Sequence, residues 1–341
     1  MSLIAGTDLP ESAPPEATRE VTEGMSQGRL ILRRFLSDGV AMTSLVFFLA
    51  IVVFSMTATG VFGIPGWWKY SYTDLPKLLN GGAPTLSLVP EWLGGAGIHL
   101  GEHPFGQTLI GKDYFAMTMR GVQNSLIVMF VIGILVMIIG TVVGAIAGYY
   151  RGWVESLLMR FTDLVIVIPV IVLGAVVGKI ASEHFKGLGV LGLSIVLGLF
   201  LWTGLARLVR GEFLTLRERE YVDAARVSGA RDARIIFRHI LPNAIGVVIV
   251  TTTLVMAAAI LLETGLSFLG FGIRPPDVSL GLIISQNQTA FSTRPYLFIW
   301  PGVFIVAIAL SVNFIGDGLR DAFDPRQRRF SPRKTKEQVA S

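Results

Sequence analysis

Six apolar runs, each long enough to cross a bilayer, divide this chain and constrain its fold more than any other feature. They lie at about residues 40–62, 125–150, 164–180, 188–208, 245–270 and 296–319. At about 1.5 Å per helical residue, a hydrocarbon core of roughly 30 Å takes about 20 residues. That core offers no water to satisfy the backbone, so each crossing must be a helix. A soluble domain carries about 25% charged residues; this chain carries 16%, with 52% hydrophobic. The expected fold class is an all-α integral membrane protein, with six transmembrane helices and a cytoplasmic helix between the fourth and fifth.

Lysine and arginine set the orientation. With the N-terminus inside, the inner segments hold most of the 29 basic residues, as the positive-inside rule requires. Both termini are therefore expected in the cytoplasm. The net charge of +5 sits beside the spans and does not point to nucleic acid. Four regions follow. Residues 1–38 form a cytoplasmic tail, and 39–119 the first span with a long extracytoplasmic segment. Residues 120–319 form a five-helix core with a cytoplasmic loop at about 209–244, and 320–341 a basic cytoplasmic tail. Residues 1–27 are rich in Pro, Glu, Ser, Thr and Ala, with no apolar run. They are expected to be disordered and not a cleavable signal peptide. The absence of cysteine excludes disulfides, thiolate metal sites and a cysteine nucleophile. In the outer segment Trp67, Trp68, Tyr70, Tyr72 and Trp92 suit an interfacial belt or a ligand surface.

The longest charged interruption runs from Glu220 to Ala244, EYVDAARVSGARDARIIFRHILPNA. A simple connection would need only a few polar residues and a turn. Here Tyr221, Ala224, Ala225, Ser228 and Gly229 fall on a small-residue face, with Arg226, Arg231, Arg234 and Arg238 largely on the others. Small side chains let a helix sink into a partner's groove, while arginines reach acidic rims or lipid phosphates. Gly229 costs about 1 kcal/mol relative to alanine inside a helix, so it suits a bend between two short helices or a close backbone approach. Pro242 is expected to stop what precedes it and start the next span.

This segment resembles the cytoplasmic EAA loop of permease subunits of binding-protein-dependent ABC importers. That pattern reads Glu-Ala-Ala, three residues, Gly, nine residues, then Ile-x-Leu-Pro. Asp223-Ala224-Ala225 fills the triplet, Gly229 keeps the spacing and Leu241-Pro242 closes it; Asp223 replaces Glu and His239 replaces Ile. The His-x-Leu-Pro-Asn form is similar to the dipeptide and oligopeptide branch. Ile31–Phe35 resembles the N-terminal signature of its C-type permease, and His103-Pro104-Phe105-Gly106 with Gly111-Lys112-Asp113 its "HPLGTD…GRD" segment. Gln107-Thr108 and Lys112 depart from that segment. Asp163, Pro169 and the run from Glu263 to Gly270, with Pro275-Pro276 after it, match further. The likeness covers about residues 30–325.

The resemblance implies a permease half that is not itself an enzyme, with no catalytic, cofactor or metal site of its own. It would pair with a homologous permease in a bacterial or archaeal cytoplasmic membrane. Two cytoplasmic P-loop ATPases, which bind ATP and Mg, would grip the loops, and an extracytoplasmic binding protein would deliver a di- or oligopeptide. Tyr221, Asp223, Ala224, Ala225, Arg226, Gly229, Leu241 and Pro242 are the candidate coupling residues. Nickel chelates or glutathione are alternative cargoes. A channel or secondary transporter is the rival class, which would show paired ionisable residues at mid-membrane and two matching halves with broken helices.

Glu263 is a candidate pathway or gate residue, because a charge inside a span costs roughly 2.5–3.5 kcal/mol. The same carboxyl would equally serve as a buried structural tie. His99-Leu-Gly-Glu102-His103 matches HxxEH, yet Gly101 and Pro104 work against the helix that zinc chemistry needs. Gly187-Leu-Gly189-Val-Leu-Gly192 matches GxGxxG without a preceding strand, and no GxxxxGK[ST] loop occurs. Gly140, Gly144 and Gly148 form a small-residue stripe that predicts close helix packing, within this chain or against a partner.

Overall fold

The computed structural model describes residues 27–61, 63–87, 91–93, 97–184 and 189–324. The expected N-terminal disorder and most of the basic tail lie outside the described residues. Helix α1 (Gln27–Leu36) leads through Asp38 into α2 (Gly39–Thr59), the first span. Asp38 caps α2 by accepting from the amides of Val40 and Ala41, satisfying donors that the first turn leaves free. A two-residue hairpin, β1 (Gly60–Val61) with β2 (Ile64–Pro65), opens the outer segment.

Helix α3 (Tyr114–Tyr150) is 37 residues long, about 55 Å at 1.5 Å per residue. It begins well before the expected position 125. Asp113 is its N-cap, its Oδ2 accepting from the Ala116 amide at 2.9 Å. The early turns look loop-like in sequence because they carry Gln123, Asn124 and Ser125, all buried here. The Gln123 amide donates to the carbonyls of Ser55 and Gly60 at 2.7 and 3.0 Å, and Asn124 donates to Val278 at 2.7 Å. Polar residues that read as an aqueous connection instead tie three segments together.

The expected third span is broken. Helix α4 (Gly152–Val167) and α5 (Val170–His184) meet at a bend of 74°. Pro169 lacks an amide donor and drives the preceding Ile168 out of helical geometry, to φ −74° and ψ 117°. Helices α6 (Gly189–Leu201) and α7 (Thr203–Leu216) make the fourth crossing. After the loop, α10 (Leu241–Phe268) makes the fifth and α12 (Tyr296–Phe323) the last, with α11 (Leu280–Asn287) between them. The short helices α8 and α9 lie in the loop described below. Five helical stretches among the described residues are long and apolar enough to cross a membrane, or six if α4 and α5 form one broken span.

The glycine stripe finds its partner within this chain. A Cβ on Gly140 would lie 2.9 Å from Leu205 Cβ, one on Gly144 2.5 Å from the Ala206 carbonyl oxygen, and one on Gly148 2.6 Å from Phe213 Cβ. All three neighbours belong to α7, so the backbones of α3 and α7 approach as closely as absent side chains permit. Replacing Gly144 by leucine should overpack this contact and destabilise the chain by about 1–3 kcal/mol. The reading is a lower melting temperature and less monodisperse protein in detergent. Gly211→Ala, with nothing within 4 Å of its added Cβ, should behave as the unaltered chain; equal behaviour of both variants would disprove the close packing.

Candidate functional site

The charged loop forms a compact, anchored element between α7 and α10. Helix α8 (Glu220–Val227) has Glu220 and Asp223 in its first turn and Arg226 in its last, each sign matching the helix dipole. Val222 is fully buried and packs with Phe213, Ile235, Ile236 and Ile240, fixing α8 to the bundle by one side. Ala225 is half-buried on that side, while Tyr221, Ala224, Val227 and Ser228 face outward. Val227 is 90% exposed. Asp223 accepts from Arg226 at 3.0 Å, and Arg231, Arg234 and Arg238 are exposed.

Gly229 ends α8 at φ +76°, the left-handed region that side chains resist. The Ala230 amide donates to the Ala225 carbonyl and the Gly229 amide to Arg226, at 3.0 and 2.9 Å, the paired bonds of a Schellman turn. The chain then enters α9 (Asp232–Arg234), a π-helical stretch (Ile235–Ile240) and α10. The expected stop at Leu241-Pro242 is absent: the helical path continues from Asp232 to Phe268. Pro242 sits in the first turn of α10, where a missing amide is tolerated. The wide turn before it absorbs the ring, the Leu241 amide bonding back to Ile236. Leu241 packs against the core and Pro242 is exposed. Asn243 joins the root of α10 to the His239 carbonyl at 2.7 Å and to the Tyr221 hydroxyl at 3.4 Å.

The sequence analysis missed the clasp that holds this loop to α3. The Tyr149 hydroxyl, at the end of α3, donates to Asp232 Oδ1 at 2.7 Å. From the other side of the loop, Arg217 donates to the Tyr149 carbonyl, and Arg151 pairs with Glu218 at 3.2 Å. Both ends of the loop therefore grip one end of α3. No local pattern reveals partners so far apart in sequence. Alongside, α4 and α7 run antiparallel through the ion pairs Glu155–Arg210 and Asp163–Arg207.

Glu263 is fully buried in α10. Its carboxylate accepts from Ser267 Oγ at 2.6 Å and Ser125 Oγ at 3.3 Å. Ser279 Oγ donates in turn to Ser267 Oγ at 3.2 Å and, as the N-cap of α11, accepts from the Leu282 amide at 3.1 Å. One carboxylate thus ties α3, α10 and the start of α11. At the outer end of α3, buried Asp113 accepts from Trp68 Nε1 at 2.8 Å and pairs with His103 Nδ1 at 2.6 Å. His99 sits in an extended bridge to Ser87, so the HxxEH residues do not share a helix. Gln107, one of the departures from the family segment, is buried and holds its loop through the Lys77 and Gly111 carbonyls and the Leu79 amide. Tyr70 stacks on His103 and Tyr72 on Arg120, whereas Trp67 and Trp92 are exposed. Of the GxGxxG glycines, Gly189 and Gly192 open α6 and Gly187 is outside the described residues.

The chain belongs to the binding-protein-dependent transport system inner membrane component family, whose model matches residues 140–329. Residues 26–80 match the N-terminal TM domain of oligopeptide transport permease C. The chain is 37% identical over 308 residues to the oligopeptide transport system permease protein OppC of Mycobacterium tuberculosis (strain ATCC 25618 / H37Rv), covering 90% of this chain and 98% of that protein. It is 34% identical to the OppC protein of Haemophilus influenzae, with 90% and 91% covered. It is 36% identical to a putative peptide permease of Brucella ovis, with 86% and 89% covered. Among solved structures, a chain of the inward-facing MetNI methionine ABC transporter superposes with a TM-score of 0.51 at 20% identity, over 61% of this chain and 96% of that one. The fold is that of an ABC importer permease.

Truncating Glu263 to alanine leaves the Ser125 and Ser267 hydroxyls without their buried acceptor, a loss of about 1–3 kcal/mol. Glu263→Ala should therefore melt at a lower temperature in detergent, while Glu263→Gln, which keeps an acceptor oxygen, should lie near the unaltered chain. Equal melting of all three would remove the carboxylate from the tie.

Proposed function

We propose that the chain is the membrane permease of an ATP-driven importer that moves di- or oligopeptides into the cell by alternating access. The observation that carries this reading is the 37% identity to an oligopeptide permease over 98% of that protein's length. In this reading both termini and α8 are cytoplasmic, in keeping with the basic residues flanking the inner ends of the spans. A homologous permease completes the pathway. Two P-loop ATPases supply the hydrolysis, holding ATP and Mg, and an extracytoplasmic binding protein presents the peptide. This chain performs no chemistry of its own.

The exposed face of α8, with Tyr221, Ala224 and Val227, is the surface an ATPase would grip, flanked by Asp223 and Arg226. Val222 and Ala225 hold the helix from behind, Gly229 turns the chain back, and Leu241-Pro242 leads it into α10. The clasp of Tyr149 with Asp232 makes α3 move with the loop, so a push on α8 is delivered to a helix that crosses the whole membrane. Of the two roles open to Glu263, we propose the buried tie, since its carboxylate is closed off by serines.

Co-purification in mild detergent from native membranes, followed by reconstitution with ATP, tests this assignment. Recovery of a second permease with P-loop ATPases, and ATP-dependent accumulation of labelled oligopeptides once the binding protein is added, is expected. Transport by this chain alone without ATP would overturn the importer reading, and accumulation of nickel chelates or glutathione without peptides would overturn the cargo.

Two variants probe the coupling. An arginine at Gly229 meets open space but resists the φ of +76° by roughly 1–2 kcal/mol. Gly229→Arg should insert normally and hydrolyse ATP while peptide uptake falls severalfold; normal uptake, or failure to insert, would count against the assignment. Tyr149→Phe removes one bond to a carboxylate, about 1.5–3 kcal/mol. The ATP consumed per peptide transported should rise at unchanged protein level, and an unchanged ratio would show that α3 is not driven through this contact.

A further inference from the structure

Helix α1 precedes the first span and is pinned beside the end of the last. Phe35 is buried against Ala41 and Ala322, with Ile31, Ile315 and Leu319 around them. A Cβ on Gly318 would lie 2.3 Å from that of Ala41, and Arg34 donates to the Asp324 carbonyl at 3.3 Å. These contacts fix the rotation of α1 about its axis.

The opposite face is uncovered and of mixed character. Leu32 and Leu36, one helical turn apart, are 56% and 52% exposed. Arg29 and Arg33, also one turn apart, are exposed beside them. Among the described residues neither arginine meets a carboxylate within ion-pair distance. Across Ser37 and Asp38 the chain passes into α2, whose exposed residues include Val40, Val46, Phe47 and Val53 and which is long and apolar enough to cross the bilayer.

We propose that α1 is an interfacial docking surface for anionic phospholipid, with Leu32 and Leu36 immersed at the level of the acyl chains and Arg29 and Arg33 bound to headgroup phosphates. Two observations fix the occupant. Only Ser37 and Asp38 separate α1 from a span whose exposed residues are apolar, so a bilayer that covers α2 ends beside α1. Arg29 and Arg33 stand exposed beside the leucines, the mixed apolar and basic arrangement of helices that lie in the interface plane. Each arginine near an anionic surface contributes about fivefold to partitioning. Lipid held there would brace the junction of α1, α2 and α12.

The chain has no cysteine, so single spin labels report cleanly. The full-length chain, with whatever subunits it retains, carries Leu32→Cys, and separate samples carry Val46→Cys as the lipid reference and Thr73→Cys as the aqueous reference. Each is reconstituted in phosphatidylcholine vesicles with and without phosphatidylglycerol. Collisions with oxygen and with a water-soluble nickel chelate give immersion. With phosphatidylglycerol, the label at position 32 should approach the position 46 reference, its chelate collisions severalfold below those at position 73. Adding Arg29→Gln and Arg33→Gln should return it toward the aqueous value. Chelate access as high as at position 73 in every vesicle would overturn the proposal. So would immersion that ignores both phosphatidylglycerol and the arginines, since that leaves no role for the phosphates. Shielding from both collision partners would mean that protein covers the face, either a neighbouring subunit or one of this chain's own tails, and would equally overturn it.

Discussion

The close approach of α3 and α7 is the contact on which the rest of the molecule depends. In a bilayer, lipid tails are as apolar as leucine, so helices gain nothing by hiding apolar surface and associate through packing and hydrogen bonds. Gly140, Gly144 and Gly148 supply that packing by removing side chains where α7 arrives. The same helix receives Met256 of α10 at Gly133 and Leu280 of α11 at Gly121. It is thus the helix that its neighbours pack into. A rod of about 55 Å outreaches a hydrocarbon core of roughly 30 Å, and its surplus length is spent at the N-terminal end, where Tyr114 to Ser125, apart from half-buried Arg120, are buried by protein.

Polar groups are placed where this frame can hold them. Glu263, Gln123 and Asn124 lie on or against the core helices and each is bonded across to another segment. Left unpaired at such sites they would each cost several kcal/mol. The ion pairs between α4 and α7 differ in kind: Asp163 and Arg207 are largely exposed, whereas Glu155 is mostly buried against Arg210. Exposed pairs contribute about 0–1 kcal/mol, too little to hold two helices together. Their value is register: they set α4 antiparallel to α7 just before the bend at Pro169.

What the sequence made legible was whatever depends on neighbours along the chain. The spans follow from apolar length, α8 and its turn from a helical pattern closed by Gly229, and the break in the third span from Pro169 by a rule that the span count passed over. The early start of α3 was hidden because Gln123, Asn124 and Ser125 mark water in a soluble chain but mark bonding in a membrane one. Helix α11 is too short to span, and its apolar run reaches only from Leu280 to Ile284. The clasp of Tyr149 with Asp232 and the serine cage around Glu263 join residues from separate elements, and nothing in one sequence ties them.

The two ends of α3 differ in how they are held, and that difference bears on how such a subunit transmits force. At the N-terminal end Asp113 is buried and bonded to Trp68, His103 and the Ala116 amide, which ties the preceding segment to the rod. At the C-terminal end the hold is the hydroxyl of buried Tyr149, bonded to the exposed Asp232, and a backbone carbonyl gripped by Arg217. In the coupling proposed above, a helix held at both ends would pass displacement of the loop on to its far end. The clasp at Tyr149 is the more open of the two, because its carboxylate, Asp232, is exposed whereas Asp113 is fully buried. Any slippage between loop and rod would therefore begin at Tyr149.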